Sequence, residues 1–175
     1  MNVGEIIVAD CANGTGIRVS VFVSGCTNRC PGCFQPETWD FDFGKPYDAA
    51  MEDSILAELA KPYYSGLTVL GGEPFEPSNQ QELVKLIRRV RRKLPQRDIW
   101  MYTGFTYENE LAPGGAKYTD VTDEILDSID VLVDGRFILA QKNLALRFRG
   151  SENQRIIDMK RTRAAGEVIL HPLSR

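Results

Sequence analysis

The chain has 175 residues, with 21 Lys+Arg against 24 Asp+Glu for a net charge of −3, and 43% of its residues are hydrophobic. This is the profile of one globular domain over 1–175, and the mild acidity (pI about 5.3) excludes a general nucleic-acid footprint. A single histidine, His171, excludes His-rich metal sites and would put any histidine-based triad on a C-terminal tail expected to be mobile.

Met1–Glu5 has no basic segment leading into an apolar stretch, and no apolar run approaches the ~18 residues needed to span a bilayer. The expected location is therefore the cytoplasm, where four cysteines point to metal ligation or thiol chemistry rather than disulfides.

In chain order, Ile17–Val23 is β-branched and partly alternating, a predicted strand that runs into Ser24-Gly25 and then the first of three clustered cysteines. Asp48 is placed to cap a helix carrying Met51, Ile55, Leu56 and Leu59 on one face, with Pro62 beyond its end. Leu67–Leu70 is a short buried strand closed by Gly71-Gly72. Ser78 and Gln81 have the spacing of a capping box for a helix that gathers Leu83, Leu86, Ile87, Val90 and Leu94 on one side. Ile99–Tyr102 is a further strand, Ala112–Gly115 a surface turn, Thr122–Ser128 a short helix, and Val131–Val133 a fourth strand. Strand then helix recurs, each strand opening at its C-terminal end into a polar or Gly-rich loop. The expected class is therefore α/β with parallel strands: an incomplete (partial) β/α barrel or open sheet, since a full eight-fold barrel needs about 250 residues.

Cys26-Thr27-Asn28-Arg29-Cys30-Pro31-Gly32-Cys33 places three thiols in one loop directly after a strand. Three thiolates around one small object suit an iron–sulfur cluster. Zinc would want a fourth ligand, for which only Cys11 is available, and a Cys30-x-x-Cys33 redox pair would leave the third cysteine without a task. Gly71-Gly72-Glu73-Pro74 offers main chain that a ligand can approach closely, together with a carboxylate able to meet an ammonium.

The C-x-x-x-C-x-x-C loop and the G-G-E-P segment together resemble the signatures of radical S-adenosylmethionine enzymes. Within that superfamily, Asn13–Cys26, Cys30–Gln35, Trp100–Phe105, Val133–Phe137 and Arg149–Arg155 resemble the activating proteins of anaerobic ribonucleoside-triphosphate reductases. The likeness covers about 10–158 and leaves about 159–175 as a tail. It implies a [4Fe-4S] cluster on Cys26, Cys30 and Cys33, with the fourth iron open to S-adenosyl-L-methionine. It also implies cofactor contacts at Gly32, Cys33 and Phe34 and at Gly71, Gly72, Glu73 and Pro74. The activity implied is reductive cleavage of that cofactor to a 5′-deoxyadenosyl radical, which makes a glycyl radical on a C-terminal glycine loop of the reductase. No side chain then acts as general base or nucleophile.

The same residues leave open an activase of another glycyl radical enzyme of the pyruvate formate-lyase type, a radical enzyme acting on a small molecule, and a zinc-stabilised binding module. Lys85, Arg88, Arg89 and Arg92 form a basic helix face that is either solvated or a dock for an acidic electron donor such as flavodoxin. Cys11 is expected to be a small buried thiol, Trp39 and Phe41 a hydrophobic lid or core, and Asp134 either a cofactor contact or a turn cap. Arg149, Asn153 and Arg155 read equally as ligand contacts or as a structural loop network.

Overall fold

A computed structural model describes residues 1–174. Its centre is one seven-stranded sheet in the order β3-β1-β2-β4-β5-β6-β7, built from β1 (Asn2–Asp10), β2 (Arg18–Val23), β3 (Lys45–Pro46), β4 (Gly66–Gly71), β5 (Asp98–Tyr102), β6 (Val131–Asp134) and β7 (Arg155–Asp158). The four central strands β2, β4, β5 and β6 are parallel, as the strand–helix alternation requires. The flanks correct the all-parallel expectation: β1 pairs antiparallel with β2 and β3, and β7 antiparallel with β6. The sheet is mixed and open, with no closed barrel among the described residues.

Side chains alternate across the pleat, so each strand feeds two different environments. Val19, Val21, Val23, Leu67, Val69, Ile99, Met101 and Leu132 face one way into the main core. There they meet α1 (Ala49–Leu59) through Ile55, Leu56 and Leu59, α2 (Pro77–Lys93) through Leu83, Leu86, Ile87 and Val90, and α3 (Thr122–Ser128) through Ile125 and Leu126. The opposite face is more polar. It carries Arg18, Ser20 and Thr68 beside a smaller cluster of Trp100, Val131, Val133 and Ile156, roofed by loops instead of helices. Among the described residues no helix is long and apolar enough to cross a membrane.

The helix ends follow local chemistry in one case and depart from it in another. Asp48 accepts a hydrogen bond from Met51 N at 2.8 Å and caps α1 as its spacing predicts. The Ser78/Gln81 capping box does not form. Pro77 occupies the first turn of α2, where its missing N–H costs nothing, and the preceding Glu76 turns its carboxylate away to Thr27 and Lys117.

Residues 159–174 carry regular structure packed on the sheet, where the sequence suggested only a tail. Asp158 caps α4 (Met159–Ala165), which buries Met159 and Thr162. The chain then returns along β7, with His171 N donating to Ile156 O at 2.8 Å and the His171 ring 6.1 Å from that of Trp100. Cys11 is exposed rather than buried, because the turn after β1 leaves its thiol beside only the Ala9 carbonyl.

Arg18 is the fully buried polar anchor of the loop-covered face. Its guanidinium donates to Thr68 Oγ1 (2.6 Å), the Thr15 and Leu67 carbonyls (2.9 and 2.8 Å) and Asp98 (2.6 Å), and it lies 5.4 Å from the Trp100 ring. Arg18→Met would strand the buried Thr68 hydroxyl and Leu67 carbonyl away from water, while the half-exposed Asp98 stays hydrated, so a loss of about 3 kcal/mol is expected in urea unfolding of the apoprotein. An unchanged midpoint would show that the network contributes nothing.

Candidate functional site

The C-terminal ends of β2, β4, β5 and β6 open on the same side, and the loops that leave them enclose a cavity of about 780 Å³. That volume lies within the ~300–1,000 Å³ common for small-molecule sites. Cys26, Cys30 and Cys33 all line it as free thiols. The loop that carries them turns sharply at Arg29 (φ 46°) and is held from outside by Gly25 N to Thr38 O (2.8 Å) and Cys26 N to Trp39 O (3.3 Å).

The loop after β4 packs directly on this one. Gly72 N donates to Val23 O at 2.7 Å and Glu73 N to Gly25 O at 2.8 Å. A Cβ on Gly72 would sit 2.7 Å from Gly25 O and 2.8 Å from Thr38 O, and Gly71 holds φ at +107°. Any larger residue here would push the cysteine loop outward, so the two glycines are required by the protein's own packing before any ligand is considered.

Glu73 is 1% exposed, and both of its oxygens are fully engaged. Oε1 accepts from Phe75 N (2.9 Å) and Thr103 Oγ1 (2.8 Å), and Oε2 from Gly104 N (2.7 Å) and Asn28 Nδ2 (3.0 Å). Asn28 Oδ1 in turn accepts from Arg136 Nε at 2.9 Å. One carboxylate thus ties the cysteine loop to the loops after β4 and β5, with Asn28 extending the chain to the loop after β6. Burial pushes its carboxyl up to about 7 against the pull of these donors.

Two of the thiols shift in the same direction. Burial pushes Cys26 up to about 11, with the charges of Glu73 and Glu76 adding to the effect, and it raises Cys30 as well. A nucleophilic redox thiol is activated by the opposite shift, toward thiolate, so Cys26 and Cys30 lack that activation. Ligation to a positively charged group would draw off these protons. Among the described residues no three His, Cys, Asp or Glu side chains converge on one metal ion. Cys11 does not line the cavity, so it cannot complete a four-cysteine zinc site. A cluster distributes its thiolates over separate irons, which suits three sulfurs arranged around a cavity. The cavity also contains unmet hydrogen-bonding capacity: Trp39 Nε1, Tyr102 OH and Arg149 Nε are buried without partners, and all three residues line it.

The residues singled out in the sequence divide into two groups. Cys33, Phe34, Gly71, Gly72 and Glu73 line the cavity together with Cys26 and Cys30, whereas Gly32 and Pro74 do not. Gly32 (φ +75°) makes the turn against Leu139, and Pro74 is buried beneath the loop. Phe34 is 66% exposed at the rim, its ring 5.5 Å from that of Phe137. Trp39 borders the cavity, while Phe41 covers Gly25 from outside. Asp134 is fully buried against Arg155 Nε (2.9 Å) and Tyr107 N (3.0 Å), a structural pair. Arg149 lines the cavity, whereas Asn153 bonds Ser151 and the Arg136 carbonyl. On the basic helix face, Lys85 pairs with Glu82, Arg88 with Glu124, and Arg89 with Glu52 and Asp53.

A family model described as a 4Fe-4S single cluster domain matches residues 12–157. The chain is 39% identical over 156 residues to the anaerobic ribonucleoside-triphosphate reductase-activating protein of Vibrio cholerae, covering 88% of this chain and 96% of that protein. It is 37% identical, with the same coverage, to the protein of that name from Escherichia coli K12. With the one from Enterobacteria phage T4 it shares 35% over 159 residues, which is 89% of this chain and 93% of that one.

The Glu73 hub predicts a pH signature. A carboxyl near 7 in the folded state and near its model value of 4.5 when unfolded holds its proton better in the native protein. Its contribution to apoprotein stability is therefore present below about pH 4.5 and falls by about 3 kcal/mol as pH rises to about 7. In Glu73→Gln this component should vanish. A wild-type stability profile that parallels the variant's between pH 4.5 and 7 would refute it.

Proposed function

The chain belongs to the family of anaerobic ribonucleoside-triphosphate reductase-activating proteins, and from that premise we propose that it activates such a reductase by radical S-adenosylmethionine chemistry. The observation that carries the reading is the set of three free thiols lining one cavity beside a glycine pair packed against their loop. Cys26, Cys30 and Cys33 would hold a [4Fe-4S] cluster, and three protein ligands leave one iron for the cofactor's amino-acid end. When bound, the cluster would supply the electron for reductive cleavage of the cofactor, radical chemistry whose outcome would be removal of a hydrogen atom from a glycine of the reductase.

What the chain itself contributes is placement. Because four protein donors already occupy Glu73, the cofactor's ammonium is better met by main chain at Gly71-Gly72, with Glu73 holding that main chain in position. Phe34 and the backbone at Cys33 would border the adenine, with Gly32 setting the turn. Trp39 Nε1, Tyr102 OH and Arg149 Nε, which lack partners among the described residues, are donors for the remainder of the ligand.

The rim favours a macromolecular substrate. Phe34 and Leu144 are 66% and 85% exposed where the cavity opens, apolar surface that a docking polypeptide such as the reductase's glycine loop would cover. The electron comes from an external donor such as flavodoxin.

Reconstitution without oxygen is expected to give about four irons and four sulfides per chain, and Cys30→Ala should fail to retain them. Adding the reductase, reductant and S-adenosylmethionine should then produce a glycyl radical signal in electron paramagnetic resonance. A colourless wild-type protein that binds only zinc, or cofactor cleavage with no radical on the reductase, would overturn the proposal.

A further inference from the structure

Thr27, the residue after Cys26, is gripped by a second buried carboxylate. Glu76 is 3% exposed and accepts from Thr27 N at 2.8 Å and Thr27 Oγ1 at 2.5 Å through one oxygen. Its other oxygen meets Lys117 Nζ at 2.8 Å. The ammonium also donates to Thr27 Oγ1 at 3.0 Å and lies 5.0 Å from the Phe105 ring. Lys117 is held there from behind, because the buried Gln80 of α2 donates to its carbonyl at 2.8 Å. The ammonium is thus delivered from the connection between β5 and α3 into the base of the cysteine loop.

Two buried carboxylates, Glu73 and Glu76, therefore adjoin the cysteine loop, and they are balanced differently. The four partners of Glu73 are all neutral groups, whereas Glu76 has a full cationic partner. Arg136, bound to Asn28, is a further cation in contact with this loop, and it is exposed. Glu76 grips the residue that directly follows Cys26, and Glu73 holds Asn28 one residue further on, so both carboxylates lie against the backbone that carries that sulfur. Reduction adds a negative charge to a cluster. An uncompensated carboxylate disfavours that step, and a neighbouring ammonium offsets it.

We propose that Glu76 and Lys117 form a charge-balanced pair that positions Thr27 and sets how readily the cluster at Cys26 accepts its electron. Both are positioning residues that act through the loop and its field and do not touch the cofactor. The inference rests on the cluster reading above.

The test uses reconstituted full-length protein, assayed for iron and sulfide and titrated anaerobically at pH 8.5 with the cluster's own spectroscopic signal as readout. Lys117→Met leaves Glu76 unbalanced and should lower the ratio of reduced to oxidised cluster at a fixed poise about tenfold, equivalent to about 59 mV for one electron. Glu76→Gln keeps an acceptor for Thr27 but leaves the lysine charge unbalanced, so the ratio should rise by a similar factor. The double variant should return close to wild type, which lost packing alone would not produce. If Lys117→Met fails to load, Glu76→Gln decides by itself, since an unchanged potential in that fully loaded variant overturns the pair. Singles that shift in the same direction also overturn it. A wild-type protein that takes up no cluster instead refutes the underlying functional reading.

Discussion

Everything at the open end of this sheet depends on one carboxylate that water cannot reach. Glu73 accepts from Phe75 N, Thr103 Oγ1, Gly104 N and Asn28 Nδ2, so loops 30 to 45 residues apart in sequence share a single acceptor. An ionised carboxylate in such a place is tolerable only because each lone pair has a donor. The cost of withdrawing any one donor keeps the other loops in register. The geometry of the cysteine loop is therefore set by atoms that are not themselves ligands, the usual requirement for a site whose first contacts must be held in place.

The sheet explains why a cavity exists at all. One face is sealed by α1, α2 and α3 through a continuous apolar core, so no ligand space remains there. The other face begins with Arg18, Ser20 and Thr68, whose polar groups must be satisfied locally, and it is roofed by loops and by the segment that follows β7. Loops leave gaps that helices would fill, and these gaps run up the sheet to the strand ends. The open architecture and the site thus share one cause: polar residues on one side of the pleat resist coverage by an apolar helix.

What the sequence revealed follows the range of the interactions involved. Thr122–Ser128, Leu67–Leu70 and the Asp48 cap were legible because their signals are local: periodicity, a glycine stop, and an acceptor three residues before its donor. Strand β1 carries a glycine and an acidic residue and acquires its pattern only by pairing antiparallel with β2. Strand β7 pairs with β6 across a loop of twenty residues, and α4 depends on the packing that follows. The capping box failed for a similar reason, since Pro77 opens the helix and Glu76 before it serves contacts with Thr27 and Lys117 that lie 49 and 41 residues away. That Cys26, Cys30 and Cys33 line one cavity follows from their shared loop and could be read from spacing, whereas the donors that fix Glu73 could not, since nothing in Thr103 or Asn28 taken alone signals their meeting. Cys11 was misplaced because a general tendency of cysteines to be buried says nothing about the turn that puts this one outside.

The loop and its thiols divide the work of assembly. Two buried carboxylates, through Asn28 and Thr27, shape the backbone between Cys26 and Cys30, and the loop after β4 supports it from below. Assembly here need not fold the polypeptide, unlike small metal domains in which binding and folding are one event. What remains to be done is electrical. Burial raises the proton affinity of Cys26 and Cys30, and Glu73 and Glu76 add to it at Cys26, so ligation there would have to release protons and supply positive charge in the same place. A site shaped in advance but electrostatically closed to bare thiolate suppresses disulfide formation and adventitious oxidation, which proceed through the thiolate.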